Sequence, residues 1–500
     1  MPTVASILSR AQLGMQAPPV TVEVHVGEGL PSVSIVGLPE TAVKESKERV
    51  RSALATSNYQ FPDGRVIVSL APADLPKEGG RYDLPIALGL LVASGQVSPR
   101  LLQGCEFYGE LSLTGELRPV RGVLPAVCQA ARGGNRVVVP SGNLAEAALV
   151  RSARVAGASH LIEVCAHVSG DRSLEFGRTR SADLDAPSYP DLSDVRGQAN
   201  ALRALEVAAA GAHSLLMIGP PGSGKSMLAH RLPGILPPMT EAEALQTASL
   251  LSVSTRGFSP SDWARRPFRA PHHTASAAAM VGGSSPPRPG EVSLAHNGLL
   301  FLDELPEFQR RVLEVLREPL ETGTIAISRG ARQAEFPARF QLVAAMNPCQ
   351  CGYLGDPEGA CRCTPAQIQR YRSRLSGPLL DRIDLHVEVP RLALSELGSC
   401  RETVGSAAVS ARVLAARERQ LVRSAKPNSA LSSKEIEESK LIARSAQQLV
   451  EVALSQLRWS ARAYHRVLRV ALTIADLAGT EHIEPAHAAE AIQLRRALSV

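Results

Sequence analysis

The residues best equipped for chemistry stand together: Gly219, Pro220, Pro221, Gly222, Ser223, Gly224, Lys225 and Ser226. An apolar run, SLLMI, precedes them, and a helix-forming stretch, MLAHRL, follows. The spacing G-x-x-x-x-G-K-S between a strand and a helix is a phosphate cradle. Its glycines let backbone N–H groups wrap the phosphates, Lys225 reaches the terminal ones, the Ser226 hydroxyl ligates Mg2+, and the helix N-terminus adds its dipole. A chance glycine turn would not bring both flanking elements with it, so ATP with Mg2+ is the expected ligand.

Downstream, the apolar run GLLFL ends in Asp303 and Glu304. One carboxylate can hold the water shell of Mg2+ while the next orients an attacking water. A solvated loop start is the bland alternative, and the upstream cradle decides against it. A third run, FQLVAAM, ends at Asn347, whose side chain both donates and accepts and could bridge the γ-phosphate and attacking water. Arg382 in LSGPLLDRIDL stands beside Asp381 and Asp384. It reads either as a surface ion pair, worth little, or as an arginine finger.

Of eight cysteines, Cys105, Cys128, Cys165 and Cys400 stand alone and read as small core hydrophobes. Cys349, Cys351, Cys361 and Cys363 instead form C-x-C, nine intervening residues, then C-x-C. Four thiolates suit tetrahedral Zn2+, although the spacer is tighter than usual, and reduced thiols are the alternative. His272 and His273 are a weaker source of ligands, because adjacent histidines usually point apart. A plain loop and a nucleotide or partner role suit them equally well.

These side chains need a scaffold. Five hundred residues suggest about three units, and 44% hydrophobic with 20% charged residues is ordinary for a globular protein. A net charge of +6 permits a polyanion partner without demanding one. Short β-rich runs (TVEVHV, PSVSIVG, RVIVSL) and a helix over 40–56 predict a first α/β unit, followed by an aperiodic linker over 171–190. Strand and helix alternation over 191–390 predicts a parallel sheet. Helical periodicity over 408–424, 433–456, 461–477 and 484–496 predicts a helical lid. The strongest apolar run, Leu84 to Ala93, is too short to span a bilayer, and a cytoplasmic protein without a membrane segment is expected.

Several stretches together carry a resemblance: DVRGQ at 194–198, GPPGSGKS, FRAPHHT at 268–274, GEVSLAHNGLLFLDELPEF, AAMNPCQCG, SGPLLDRID and SARAYHR. They resemble the magnesium-chelatase-like AAA+ family of ComM and YifB over essentially the whole chain. The resemblance implies an ATPase in which Arg382 is an arginine finger reaching a neighbouring subunit's nucleotide and Arg462 is a second sensor from the lid. Both roles imply a homo-oligomeric ring, expected to be a hexamer, closed by heterologous contacts. It further implies that VGGSSPPRPGEVSLAHNG is a loop interrupting the second helix and that TIAISRGARQAEFPARF is a hairpin before the sensor strand. Arg329 and Arg332 flank Gly330 at that hairpin's turn, where a ring pore would present them to DNA phosphates. A solvated basic turn is the other reading.

Within the first unit, APADLPKEGGRYDLPIALGLL and GELSLTGELRPVRGVLPAVCQAARGGNRVVVP are similar to the proteolytic domain of Lon proteases. Where that pattern supplies a serine nucleophile this chain has Arg81, Tyr82 and Asp83, and where it supplies a lysine it has Leu124, Pro125 and Ala126. A Lon-protease-like domain over 1–170 without peptidase activity is expected. The leading functional expectation is an AAA+ motor on DNA, a helicase or translocase driving branch migration during competence. An ATP-dependent protease or protein remodeller is the second, and a chelatase motor subunit the third. The D-x-S-x-S metal signature of a chelatase partner is absent: DLSDV has Asp191 and Ser193 but Val195 at the third place.

Overall fold

The computed structural model describes residues 4–177, 188–283, 287–329, 332–356, 361–392, 404–439, 441–457 and 459–498. Period-two burial builds the first sheet. Along Pro19–Gly27, Val20, Val22 and Val24 turn inward and join Ala5 and Ile7 of Val4–Arg10 in one core. The sheet has seven strands in the order Ser32–Val36, Arg65–Ala71, Pro19–Gly27, Val4–Arg10, Cys105–Phe107, Arg136–Pro140 and Arg154–Ala158. Pro19–Gly27 runs antiparallel to both of its neighbours, and the other pairs are parallel. The strongest apolar run is the helix Asp83–Ala93, buried along its whole length. Among the described residues no helix is long and apolar enough to cross a membrane. The helix expected over 40–56 divides at Glu45 into Thr41–Lys44 and Ser46–Thr56. Part of the stretch read as linker is packed instead: Leu174 and Phe176 lie on the first core, and 178–187 fall outside the described residues.

The second sheet has five parallel strands in the order Phe268–Arg269, Leu299–Leu302, Gln341–Met346, Leu215–Ile218 and Leu385–Glu388. Its runs are continuously apolar because both faces are covered. Leu215, Met217, Leu299, Phe301, Val343 and Ala345 face one core, shared with the helix Ala199–Gly211 and the C-terminal helices. Leu216, Ile218, Leu300, Leu302, Leu342 and Ala344 face the other. The insert is a two-rung ribbon, Gly282–Gly283 against Arg288–Pro289, between the short helices Ala277–Val281 and Glu291–Leu294. The hairpin pairs Thr324–Arg329 with Arg332–Pro337, and Ile325, Ile327, Ala334 and Phe336 fasten it to the second core. Residues 330 and 331 and the side chains of Arg329 and Arg332 lie outside what is described.

C-terminal helices Ser406–Ser424, Ser433–Glu438, Arg444–Gln456, Ala461–Ala478 and Pro485–Gln493 follow. The single helix expected over 433–456 is two, because the intervening backbone bonds elsewhere: Ile483 donates to Leu441 at 2.7 Å and Ala443 to Ile483 at 3.1 Å. The first unit docks through its helix Val123–Arg132 on Glu241–Val253, where Gly122 donates to the Ser252 carbonyl at 3.0 Å and Leu124 to Ser252 Oγ at 3.4 Å.

Candidate active site

Parallel register aligns the carboxyl ends of three neighbouring strands, with Ile218 opposite Met346 and Leu302 opposite Ala344. Gly219, Asn347 and Asp303 therefore emerge at one edge, where open α/β sheets bind ligands. Gly219 admits no side chain, since a Cβ would lie 2.0 Å from the Val389 carbonyl. Gly222 (φ +76°) and Gly224 (φ +91°) supply the left-handed turns that lead into the helix Lys225–Arg231. Pro220 and Ser223 are buried, whereas Pro221 and Gly222 are exposed.

Lys225 Nζ donates to the carbonyls of Gly219 (2.7 Å) and Pro220 (2.8 Å) and to Asn347 Oδ1 (3.3 Å). Burial lowers its pKa, with Asp303 opposing the shift. Ser226 Oγ donates to Asp303 Oδ2 at 2.6 Å. A hydroxyl and a carboxylate at that spacing, at the mouth of a phosphate cradle, fit a divalent ion's coordination sphere. Glu304 follows at φ +52°, a left-handed conformation costing a non-glycine residue about 1 kcal/mol. Its amide donates to Asp303 Oδ1 at 2.9 Å.

Two residues left undecided by the sequence complete this cleft. His273 Nδ1 lies 3.2 Å from Glu304 Oε2, with its ring 4.1 Å from that of His272. Both histidines line a cleft with Ser226, His230, Asp303 and Glu304. They are not ligands of the cysteine cluster, in which the four thiols alone gather. FRAPHHT was visible as a motif, but its pairing with Glu304 is long-range and has no local signal.

The cysteine sulfurs converge. Cys349 is 3.3 Å from Cys351 and 3.7 Å from Cys361, Cys351 is 3.6 Å from Cys361, and all four sulfurs, Cys363 included, lie within 4.8 Å of one another. The cluster could hold a metal ion.

Arg382 is buried rather than displayed. It forms no surface pair with Asp381 or Asp384; its guanidinium meets Glu321 and donates to the Pro378 carbonyl at 2.5 Å. Asp384 is claimed by Arg466 and by His213, whose Nδ1 is 3.0 Å away. Burial opposes the Asp384 charge, but Arg466 and His213 outweigh it and hold the carboxyl below the usual carboxylate range. Arg462 is exposed on the first turn of Ala461–Ala478, while Arg466, one turn on, reaches the core by donating to the Arg382 carbonyl at 3.2 Å.

Comparison with known proteins follows these parts. The family described as magnesium chelatase, subunit ChlI, matches residues 191–397, which hold the cradle and the parallel sheet. Subunit ChlI of Mg-chelatase matches 22–143, and the ChlI C-terminal family matches 403–495. Competence protein ComM of Haemophilus influenzae is 49% identical over 500 residues, covering 99% of this chain and 97% of that protein. YifB of Salmonella typhimurium is 49% identical over 498 residues, with the same coverage. A protein of Mycobacterium tuberculosis is 43% identical over 480 residues, 94% of either chain. Identity this high over nearly the full length, with the site residues gathered at one sheet edge, means that the chain belongs to the magnesium-chelatase-like AAA+ family of ComM and YifB.

Proposed function

We propose that this protein is an ATP-hydrolysing ring motor acting on DNA, a helicase or translocase that promotes branch migration in recombination or natural transformation. The observation that carries the motor is the convergence of Lys225, the Ser226–Asp303 pair, Glu304 and Asn347 at one sheet edge. In this reading Lys225 exchanges carbonyl acceptors for phosphate oxygens. Ser226 and Asp303 hold Mg2+, which would offset phosphate charge. Glu304 polarises the attacking water, with His273 holding its carboxylate ready, and Asn347 positions the water against the γ-phosphate. Arg382 acts on the nucleotide of a neighbouring subunit after exchanging Glu321 for phosphate, and Arg462 closes the lid. Those two roles imply a homo-oligomeric ring, for which six subunits are proposed. Zn2+ is the metal proposed for the four cysteines, and the cytoplasm is the compartment that suits reduced thiols.

DNA as the track rests on likeness to a relative named as a competence protein and on the basic hairpin Thr324–Pro337. The test is ATPase stimulation by forked, branched, single-stranded and duplex DNA. Stimulation greatest on branched forms is expected, and no stimulation by any DNA sends the reading to a protein substrate. In the double variant Arg329→Ala with Arg332→Ala, DNA affinity should weaken alike for all sequences, and the salt dependence should flatten by roughly one to two units of slope. Unchanged affinity and slope would remove the hairpin from the DNA path.

A further inference from the structure

The four cysteines do not form an isolated knot: they sit on the nucleotide site. Cys349 is two residues beyond Asn347, and the turn that follows is closed by Gly352 donating to the Cys349 carbonyl at 3.0 Å. Gly352 (φ +89°) lies flush on the phosphate cradle, where a Cβ would come within 2.6 Å of Pro221 Cδ. The second pair, Cys361 and Cys363, leads directly into the helix Pro365–Arg372, capped by Thr364. That helix returns to the same place: Tyr371 comes close enough to the Asn347 backbone for its hydroxyl to feel it, and Arg372 Nε donates to the Pro348 carbonyl at 3.4 Å. Joining the two cysteine pairs therefore clamps Asn347 and Pro348 between the strand that delivers them and the helix that holds them.

The sulfur spacing suits a metal and excludes a bridge. A disulfide needs sulfurs about 2.05 Å apart, whereas four thiolates about 2.3 Å from a zinc ion lie about 3.8 Å apart along each tetrahedral edge. The observed 3.3, 3.6 and 3.7 Å approach that edge. An all-sulfur set also rejects Mg2+ and Ca2+, which take oxygen ligands.

We infer that Cys349, Cys351, Cys361 and Cys363 bind one Zn2+ whose task is to hold Asn347 and Pro221 in register with the bound nucleotide. The inference rests on the ATP-site reading above. Zinc thereby acts through positioning residues and touches no phosphate. Losing it should blunt recognition of the terminal phosphate, which Asn347 would meet, more than binding of the rest of the nucleotide.

The test uses the full-length chain purified without chelators. Metal analysis should give about one zinc per chain, and the variant Cys361→Ser with Cys363→Ser should give none. Affinities for ATPγS and ADP are then compared in wild type, in that variant, and in wild type stripped by a thiol-reactive mercurial and reloaded after reduction. Zinc loss should weaken ATPγS about tenfold but ADP by less than about threefold; Asn347→Ala should do the same, the combined variant should add nothing further, and reloading should restore ATPγS affinity. A zinc content near zero, or iron in its place, overturns the metal assignment. Zinc-free protein with unchanged ATPγS affinity, or with both nucleotides weakened equally, overturns the clamp. Because metal is counted without nucleotide, failure of the ATP reading itself would appear separately, as wild-type chain that holds zinc yet binds neither nucleotide.

Discussion

Two buried cations, Arg81 in the first unit and Lys225 in the second, occupy positions of opposite fate. Arg81 lies with Tyr82 and Asp83 in the stretch where the Lon-like resemblance would supply a serine, and its guanidinium is spent on structure: it meets Gln12 Oε1 at 2.9 Å and the Arg10 carbonyl at 3.5 Å, and it bonds the Arg121 carbonyl. Asp83 nearby is held bidentately by Arg49 at 2.7 and 3.0 Å. Leu124, which stands with Pro125 and Ala126 where the resemblance would supply a lysine, lies under the helix Glu241–Val253 of the second unit. Lys225 also holds carbonyls, yet it borders an open cleft lined by Ser226, Asp303 and Glu304, one of them in a strained conformation. Polar groups that satisfy one another stabilise a fold, and those that share a cleft and store strain await a ligand.

The largest expected effect lies in the open cleft. Lys225→Ala should abolish ATP turnover by weakening nucleotide binding, and Glu304→Gln should keep nucleotide bound while slowing hydrolysis about a hundredfold or more. A Glu304→Gln enzyme turning over normally would place that carboxylate with the structural polar groups instead. Next, Arg382→Ala should lower turnover about a hundredfold with single-site affinity intact. Mixing it with Lys225→Ala chains should recover part of the activity, and mixed rings that stay inactive while subunits exchange would remove the trans role.

The satisfied cluster around Arg81 should answer differently. Arg81→Ala leaves buried carbonyls without a donor and should cost about 2 kcal/mol of stability, read as a lower melting temperature. Its ATPase per folded chain should stay unchanged, and Arg81→Ser should hydrolyse no peptide. A peptidase signal in that variant would reopen the protease reading. The smallest effect concerns neither region. Burial, aided by the Arg339 charge, pushes His296 down to about 4, and its Nδ1 accepts the Arg339 amide at 3.0 Å. Between an unfolded value near 6.5 and about 4 the unfolded chain binds the extra proton, so stability should fall as pH drops through that window. Its slope should not exceed about 1.4 kcal/mol per pH unit. Melting curves from pH 7 to 5 check this, and His296→Gln should reduce the slope without removing it, because burial also holds His386 down, to about 3. Asp384 contributes its own loss only below the ordinary carboxylate range near pH 4.

The strands that bring Gly219, Asp303 and Asn347 to one edge are legible in the sequence because their information is local. Short apolar runs that end in glycine, acid or amide residues are strands delivering chemistry to one sheet edge, and SLLMIG, GLLFLDEL and FQLVAAMN do so. What escaped depends on distant partners. Val4–Arg10 (VASILSR) breaks the apolar–polar alternation with adjacent Ile7 and Leu8, and it becomes a strand by pairing along its length with Pro19–Gly27. The break between Glu438 and Arg444 follows from Ile483, and the inward turn of Arg382 from Glu321. Neither partner can be found from periodicity.

The Asp384 junction carries a mechanical consequence. Asp384 and Leu385 donate to the carbonyl of Ser214, the residue just before the strand leading to Gly219. The same Asp384 side chain grips Arg466, and His213 reaches Thr473 on that helix at 2.8 Å. The helix Ala461–Ala478 is thus a lever pinned at the base of the nucleotide strand, and its pin is adjacent to Arg382. In the ring reading proposed above, a tilt of this lever would carry the Arg382 guanidinium with it, so one stroke would both open a subunit's own nucleotide site and withdraw its reach toward the next.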